Sequence, residues 1–313
     1  MSTVLKRFSL VGVAVALLAT GCGTGPAKAG SAAIVGGQAI ELKTVQDRTT
    51  TVLKKEPAAQ QMQDQGKLGD VSRFVLGDEI RHKMIEHAAQ RENITVDETK
   101  VYDAIQERGG PEAASQQSEQ DASTIHRYIR DLLVASELAR RNITTLEVTI
   151  DFFQTKSITE AKEKAAEVAA DAAKMDEFIQ GAGRNTSGAQ QSAKNQKVRV
   201  SETPSLVTSP LWAAKPGTVV AFQLGEQEAT SIVALVRDRR SVAPTPGEDN
   251  IVDSVDPQLL ATFGQRIAQY LAADLSIEIN PRYGVWDPVK NAMSPNKGEL
   301  GGYFGPTTTK NKS

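Results

Sequence analysis

Three histidines, one cysteine and a spread of carboxylates are the residues whose types could carry chemistry. His82 and His87 lie five positions apart. That spacing puts them on different sides of a helix, unlike the i, i+4 pair that grips zinc from one face. His126 reads as a helix-surface residue rather than a base. The Asp and Glu side chains are distributed along what read as solvated helix faces, and no pair is set apart for acid–base work. No serine has a nucleophile-elbow context and no glycine-rich loop suits a phosphate. Cys22 is the sole cysteine, so no second thiol pairs with it. These residues predict no metal, no cofactor and no catalytic centre.

The chemistry that remains belongs to Cys22 itself. Lys6 and Arg7 form a short cationic start, and Phe8 to Ala19 is an unbroken apolar run. The run is too short to span a bilayer and suits the core of a secretion signal. Leu18-Ala19-Thr20-Gly21-Cys22 follows, with small residues before the thiol. This segment resembles the lipobox of bacterial lipoproteins, with Ala19 where that family favours Leu. The resemblance implies cleavage between Gly21 and Cys22 and a thioether-linked lipid on Cys22. The competing reading is an ordinary signal with an incidental cysteine. A lone free thiol in an oxidising compartment is a liability, which argues for acylation. Two or three acyl chains hold a protein on a membrane stably, where one does so only marginally. The expected partner is thus a lipid bilayer, and the expected location is the extracytoplasmic face of the cell membrane.

Composition bounds what the lipid would carry. Hydrophobic residues make up 40% and charged residues 24%, an ordinary globular balance. Aromatics are only 5%, too few for large stacking surfaces. The net charge of −2 becomes more negative once Lys6 and Arg7 are removed, which disfavours nucleic-acid binding. No second apolar stretch is long enough to cross a membrane.

The elements that follow are mostly helical at first. Residues 22–31 have linker composition. Ala32 to Val35 reads as a strand ending at Gly36-Gly37, and 39–55 as a helix stopped by Pro57. Residues 58–66, rich in Gln, read as a loop. A long helix is predicted over 68–91 from Val71, Phe74, Val75, Leu76, Ile80, Met84 and Ile85. Thr95-Val96-Asp97-Glu98 has the spacing of a capping box, and Gly109-Gly110-Pro111 ends its helix. A polar loop over 112–120 and a helix over 121–141 complete this part.

The pattern then changes to an α+β unit. Leu146 to Phe153 alternates as a strand. Ser157-Ile158-Thr159-Glu160 caps a helix whose stripe of small residues runs to Ile179. After a loop over 181–195, strands are predicted near Val198 and over 218–224 and 230–237, and Trp212 sits on a turn. A linker over 240–255 leads to a last helix that opens at Asp256-Pro257. Ile277 and Ile279 alternate as a strand, and the tail from Met293 reads as disordered.

This order resembles the SurA family of exported chaperones and foldases over residues 32–287. Ala32-Ala33-Ile34-Val35-Gly36-Gly37-Gln38 is similar to that family's opening strand and turn. Trp212-Ala213-Ala214-Lys215-Pro216-Gly217-Thr218-Val219 is similar to the parvulin turn before its final strands, and Ile232-Val233-Ala234-Leu235-Val236-Arg237 to its last strand. The resemblance implies an α+β fold: a mostly helical chaperone-like domain over 32–143 and a small parvulin-like α/β domain inserted over 144–243. It further implies a C-terminal helix and strand, 256–290, that pack back on the N-terminal part, leaving 291–313 as a disordered tail. Active parvulins carry a histidine on the first and last strands. Here Asp151 stands near the first position and Ser231 and Ile232 near the second, which predicts a degenerate prolyl-isomerase unit with weak or no activity.

Three function classes follow. The first is a membrane-tethered chaperone that binds unfolded exported polypeptides. The second is a non-catalytic envelope scaffold or ligand-binding lipoprotein, and the third a working isomerase. The stripe of Leu76, Ile80 and Met84 suits a client groove or a buried core equally well. Trp212 reads as core, and Trp286 as a cover over the seam between the last helix and the N-terminal helices.

Overall fold

The computed structural model describes residues 30–308 apart from 117–119, 183–190, 226–229, 247–250 and 252–254. Gly21, Cys22 and the apolar leader lie outside the described residues. The fold is α+β. No described helix is long and apolar enough to cross a membrane.

Ser31–Val35 (β1) and Gln38–Glu41 (β2) form a hairpin, turned by Gly36 and Gly37 at φ of 54° and 80°. Six helices follow: Leu42–Lys55 (α1), Pro57–Asp64 (α2), Leu68–Arg91 (α3), Glu98–Gln106 (α4), Pro111–Gln116 (α5) and Ile125–Asn142 (α6). Two of them replace expected loops. Pro57 and Pro111 end one helix and also open the next, because a proline lacks only an N–H that the first turn leaves unpaired anyway. The cap of α4 also differs from the expected box: Asp97, not Thr95, accepts the Thr99 N–H at 2.9 Å.

Leu146–Thr155 (β3), Ile158–Ala170 (α7), Lys174–Gly181 (α8), Ser192–Arg199 (β4), Thr218–Gln223 (β5) and Ser231–Ser241 (β6) make the strand-rich part. Ser157 caps α7 as its spacing predicts, with Oγ accepting from Glu160 N at 3.2 Å. The single helix expected up to Ile179 is two, since Asp171 adopts an extended conformation with φ −148°. Pro257–Leu271 (α9) starts from Asp256, whose carboxylate accepts from Gln258 N and Leu259 N.

Residues 291–308 of the expected tail are built into the fold, contrary to their composition. Ile277–Ile279 (β7) pairs with β1, so the chain after α9 closes the N-terminal hairpin. Val285–Asp287 (β8) and Ala292–Ser294 (β9) form a second hairpin. Tyr303–Pro306 (β10) pairs antiparallel with β5 and completes a five-stranded sheet of order β10-β5-β6-β3-β4. The sheet is therefore not built from 144–243 alone. A polar, glycine-rich segment becomes a strand here because ladder hydrogen bonds come from backbone groups and need no apolar side chain. Gly302 is required at this join: a Cβ there would lie 1.9 Å from the Ala221 carbonyl oxygen.

Both faces of the sheet are covered. Val148, Ile150, Val220, Phe222, Ala234 and Val236 pack beneath α6, α9 and Trp212. Phe153, Val219, Ala221, Val233 and Leu235 pack beneath the small residues of α7 and Met175 of α8. Trp212 is fully buried, meets Phe263 edge-on at 5.7 Å and donates its Nε1–H to Leu206 O. Helices α9 and α6 touch at Gly264, where a Cβ would lie 1.7 Å from Ala135 O. Only glycine permits that approach.

Candidate functional site

A cluster of charged residues on α3, Asp78, Glu79, Arg81 and His82, interrupts its apolar stripe and meets partners on α1 and α6. Glu79 is 5% exposed, so the expectation that carboxylates sit on solvated faces fails here. Arg127 of α6 donates to both Glu79 oxygens at 2.8 Å, and Arg48 of α1 adds a third bond from Nη1. Arg48 Nη2 reaches Asp78 at 3.0 Å and the Gln120 amide oxygen at 2.9 Å. Burial pushes the Glu79 carboxyl up, but its bonds and charge interactions with Arg127 and Arg48 outweigh this and hold it below its ordinary range. Two arginines and one fully shared carboxylate satisfy most of one another's groups, which is the condition for tolerating buried charge.

Beside this network, His82 Nδ1 lies 2.8 Å from Asp131 Oδ2. Burial pushes the Asp131 carboxyl up, and the bond from His82 only partly offsets it. Arg266 of α9 forms the opposite wall. It is 7% exposed, and its donors end on carbonyl oxygens of Thr208, Pro288 and Val289 and on the Gln269 amide. Burial pulls Arg266 down to about 10, against the attraction of Asp287.

Asp78, His82, Gln120, Asp131 and Arg266 border a cleft of about 480 Å³ between α3, α6, α9 and the β8–β9 turn. Its size lies within the ~300–1,000 Å³ range of ligand sites. Phe74, Ile85, Tyr128 and Leu132 provide apolar wall; Gln258, Thr262 and Gln265 line it along one side of α9; Lys290 and Asn291 close it from the turn. Across the cleft from the His82–Asp131 pair, the Thr262 hydroxyl donates to Gln258 O at 2.8 Å. The arrangement offers hydrogen bonds and apolar contact.

The residues singled out from the sequence fall elsewhere. Leu76 and Ile80 are 0% exposed and Met84 is 4% exposed, enclosed with Val71, Val75 and Tyr283. They are core and form no groove, because β1 and α1 cover the stripe. Asp151 is buried on β3, where Oδ1 accepts Asn195 N at 2.7 Å and Oδ2 accepts Arg237 Nε at 2.7 Å. It braces the edge strand β4 at the irregular register between Ile150 and Phe152. Ser231 is fully buried and pairs with Thr155, whereas Asp151 pairs with Leu235. Four ladder steps separate the two, about 13 Å at ~3.3 Å per residue, so they form no common site. Trp286 packs, partly buried, against the cluster of α1 and α3 residues and Tyr283.

The histidines also stay apart: His87 lies 3.7 Å from Asp274 and His126 3.3 Å from Glu98. Among the described residues no group of three could hold a metal ion. Sequence reasoning passed over Asn291, Gln265 and Arg266. The one available signal was the polar run at 78–82 inside a helix otherwise patterned for burial.

No protein-family model matches the chain, and no curated protein sequence does. Among solved structures, the chain is similar to one of two SurA-like chaperones of Campylobacter jejuni, with 12% identity over 80% of this chain and 99% of that one, at a TM-score of 0.28. It is also similar to the foldase protein PrsA from Lactococcus lactis, with 13% identity over 76% of this chain and 85% of that one, at a TM-score of 0.22.

Proposed function

We propose that this chain is a membrane-tethered, extracytoplasmic chaperone or folding factor that binds unfolded exported polypeptides and has no prolyl-isomerase activity. The observation that carries the reading is the contrast between an open cleft in the helical body and a sheet covered on both faces. An isomerase must hold and distort an X-Pro amide against a barrier of ~18–20 kcal/mol. The side chain at the first degenerate position, Asp151, is instead occupied by Arg237 and Asn195. A chaperone needs only reversible contact with apolar and backbone groups, which the cleft offers.

The ligand-binding alternative requires an enclosed pocket between sheet and helices. The spaces at that boundary, about 360 Å³ beside Phe222 and Arg266 and about 230 Å³ beside Leu146 and Tyr270, are clefts. The tether rests on the lipobox-like Leu18 to Cys22 and the linker behind it.

Aggregation of a reduced, unfolding client provides the test. Suppression at stoichiometric amounts supports the reading, and no effect at excess refutes it. Catalysis well above background in a protease-coupled refolding assay would overturn the absence of isomerase activity. Replacement Cys22→Ala should move the protein from the membrane to the soluble fraction; retention in the membrane would remove the tether.

A further inference from the structure

The turn between β8 and β9 is held from several directions. Asp287 is fully buried, and its carboxylate accepts from Val289 N at 2.9 Å, Lys290 N at 3.2 Å, Gly301 N at 2.6 Å and Ser294 Oγ at 3.3 Å. Arg266 grips the Pro288 and Val289 carbonyls from α9. Arg81 of α3 donates to the Asn291 carbonyl at 3.3 Å. At the tip, Asn291 takes a left-handed φ of 54°. Its side chain is 7% exposed, lines the cleft, and carries an Oδ1 that meets no hydrogen-bond donor.

Buried acceptors in folded proteins are almost always paired, and an exception asks for an explanation. A fixed backbone that holds an unpaired acceptor at the edge of a ligand-sized cleft favours a donor from outside. The terminal torsion of an asparagine is broad, so rotation about it lets Oδ1 face the cleft when a donor enters.

We propose that Asn291 anchors a backbone-reading subsite: the cleft takes an extended, uncharged polypeptide segment that donates a main-chain N–H to Asn291 Oδ1. This deepens the chaperone reading and rests on it. Three features favour such an occupant. First, the cleft mixes charges, Asp78 and Asp131 with Arg81, Lys290 and Arg266; the Arg266 donors end on carbonyl oxygens and Gln269, and Asp78 lies 3.7 Å from Arg81. An anionic group entering the cleft would meet carboxylates as well as cations. Second, Gln258, Thr262 and Gln265 follow one face of α9. At 1.5 Å per residue their spacing is about 6 Å and then about 4.5 Å along the axis. The first step is close to the ~6.7 Å two-residue repeat of an extended chain, and the whole span of about 10.5 Å is close to three residues of it. Third, Phe74 is 37% exposed at the rim, where an apolar client side chain can lie.

The test uses the full-length mature protein and a short, uncharged, apolar peptide carrying a fluorophore, read by anisotropy. Asn291→Gly removes the amide while keeping the left-handed turn, which glycine adopts without strain. Expected is roughly tenfold weaker peptide binding, about one hydrogen bond's worth, at an unchanged melting temperature. A parallel series methylates each backbone nitrogen of the peptide in turn. One position should cost the natural protein roughly tenfold and cost the glycine variant nothing, since the two changes remove the same bond.

Should the variant fail to fold, the methylation series on the natural protein decides alone. Equal tolerance of methylation at every position overturns the subsite. Peptide affinity unchanged in Asn291→Gly overturns it too. Suppression of client aggregation without any peptide binding overturns the subsite but leaves the chaperone reading standing. Neither suppression nor binding overturns both.

Discussion

The sheet and the helical body both bury carboxylates, and they handle them in opposite ways. On the sheet, Asp151 meets one half-exposed arginine and one backbone N–H, and the result is a brace for an edge strand. In the body, Glu79 is shared by two arginines drawn from α1 and α6, and Asp131 nearby is left with a single histidine. The first arrangement closes a surface. The second holds three helices in place around a cleft that stays open. Asp151 is thus structural here, and the cleft that stays open lies between helices.

Variants at the two carboxylates test this contrast most directly. Glu79→Ala strands Arg48 and Arg127 without their shared partner, which should cost ~3–5 kcal/mol in urea unfolding. A loss below 1 kcal/mol would mean the network does not hold the helices. Asp151→Ala should cost less, about 1–3 kcal/mol, because Arg237 reaches water. If Asp151→Ala proved the more damaging of the two, the comparison would be reversed.

Acid sharpens it further. The Glu79 carboxyl lies below its ordinary 4.5 in the folded protein, so the folded state binds that proton less readily than the unfolded chain. Its stabilisation is complete above pH 4.5 and is lost as pH falls through the folded value. Asp131 has the opposite sign: its pKa is raised above 3.8, so its contribution weakens the fold as pH rises from 3.8 through the folded value. Unfolding curves across the acid range should therefore show a steeper gain with pH in Asp131→Asn than in the natural protein, and a flatter one in Glu79→Gln. Identical slopes in all three would separate neither group from the background titration. The smallest effect expected is at Ser157→Ala, about 1 kcal/mol for one lost helix cap. It should fall on the sheet layer and leave peptide binding in the cleft unchanged.

Much of the secondary structure was legible because its signals are local. The apolar spacing from Val71 to Ile85 and the predicted range 68–91 agree with α3, and Ser157 and Asp256 cap the helices they precede. The failures have two sources. Pro57 and Pro111 mark both a stop and a start, and only the stop was read. The tail was judged by polarity, whereas β10 is held by backbone pairing to β5 and by Thr307 N to Gly217 O. The site was barely legible at all. Leu76, Ile80 and Met84 show the periodicity of a groove and of a core alike, and Asn291 stands in a segment whose composition suggests disorder.

By itself the sequence determined where several helices begin and which of their faces are apolar. Each of these depends on residues a few positions apart. Tertiary structure alone decided which apolar face is covered, which strand completes the sheet, and that Arg48, Glu79 and Arg127 share one buried cluster. Those outcomes depend on partners tens to hundreds of positions away, and only folding brings them within the few ångströms over which packing and hydrogen bonding act.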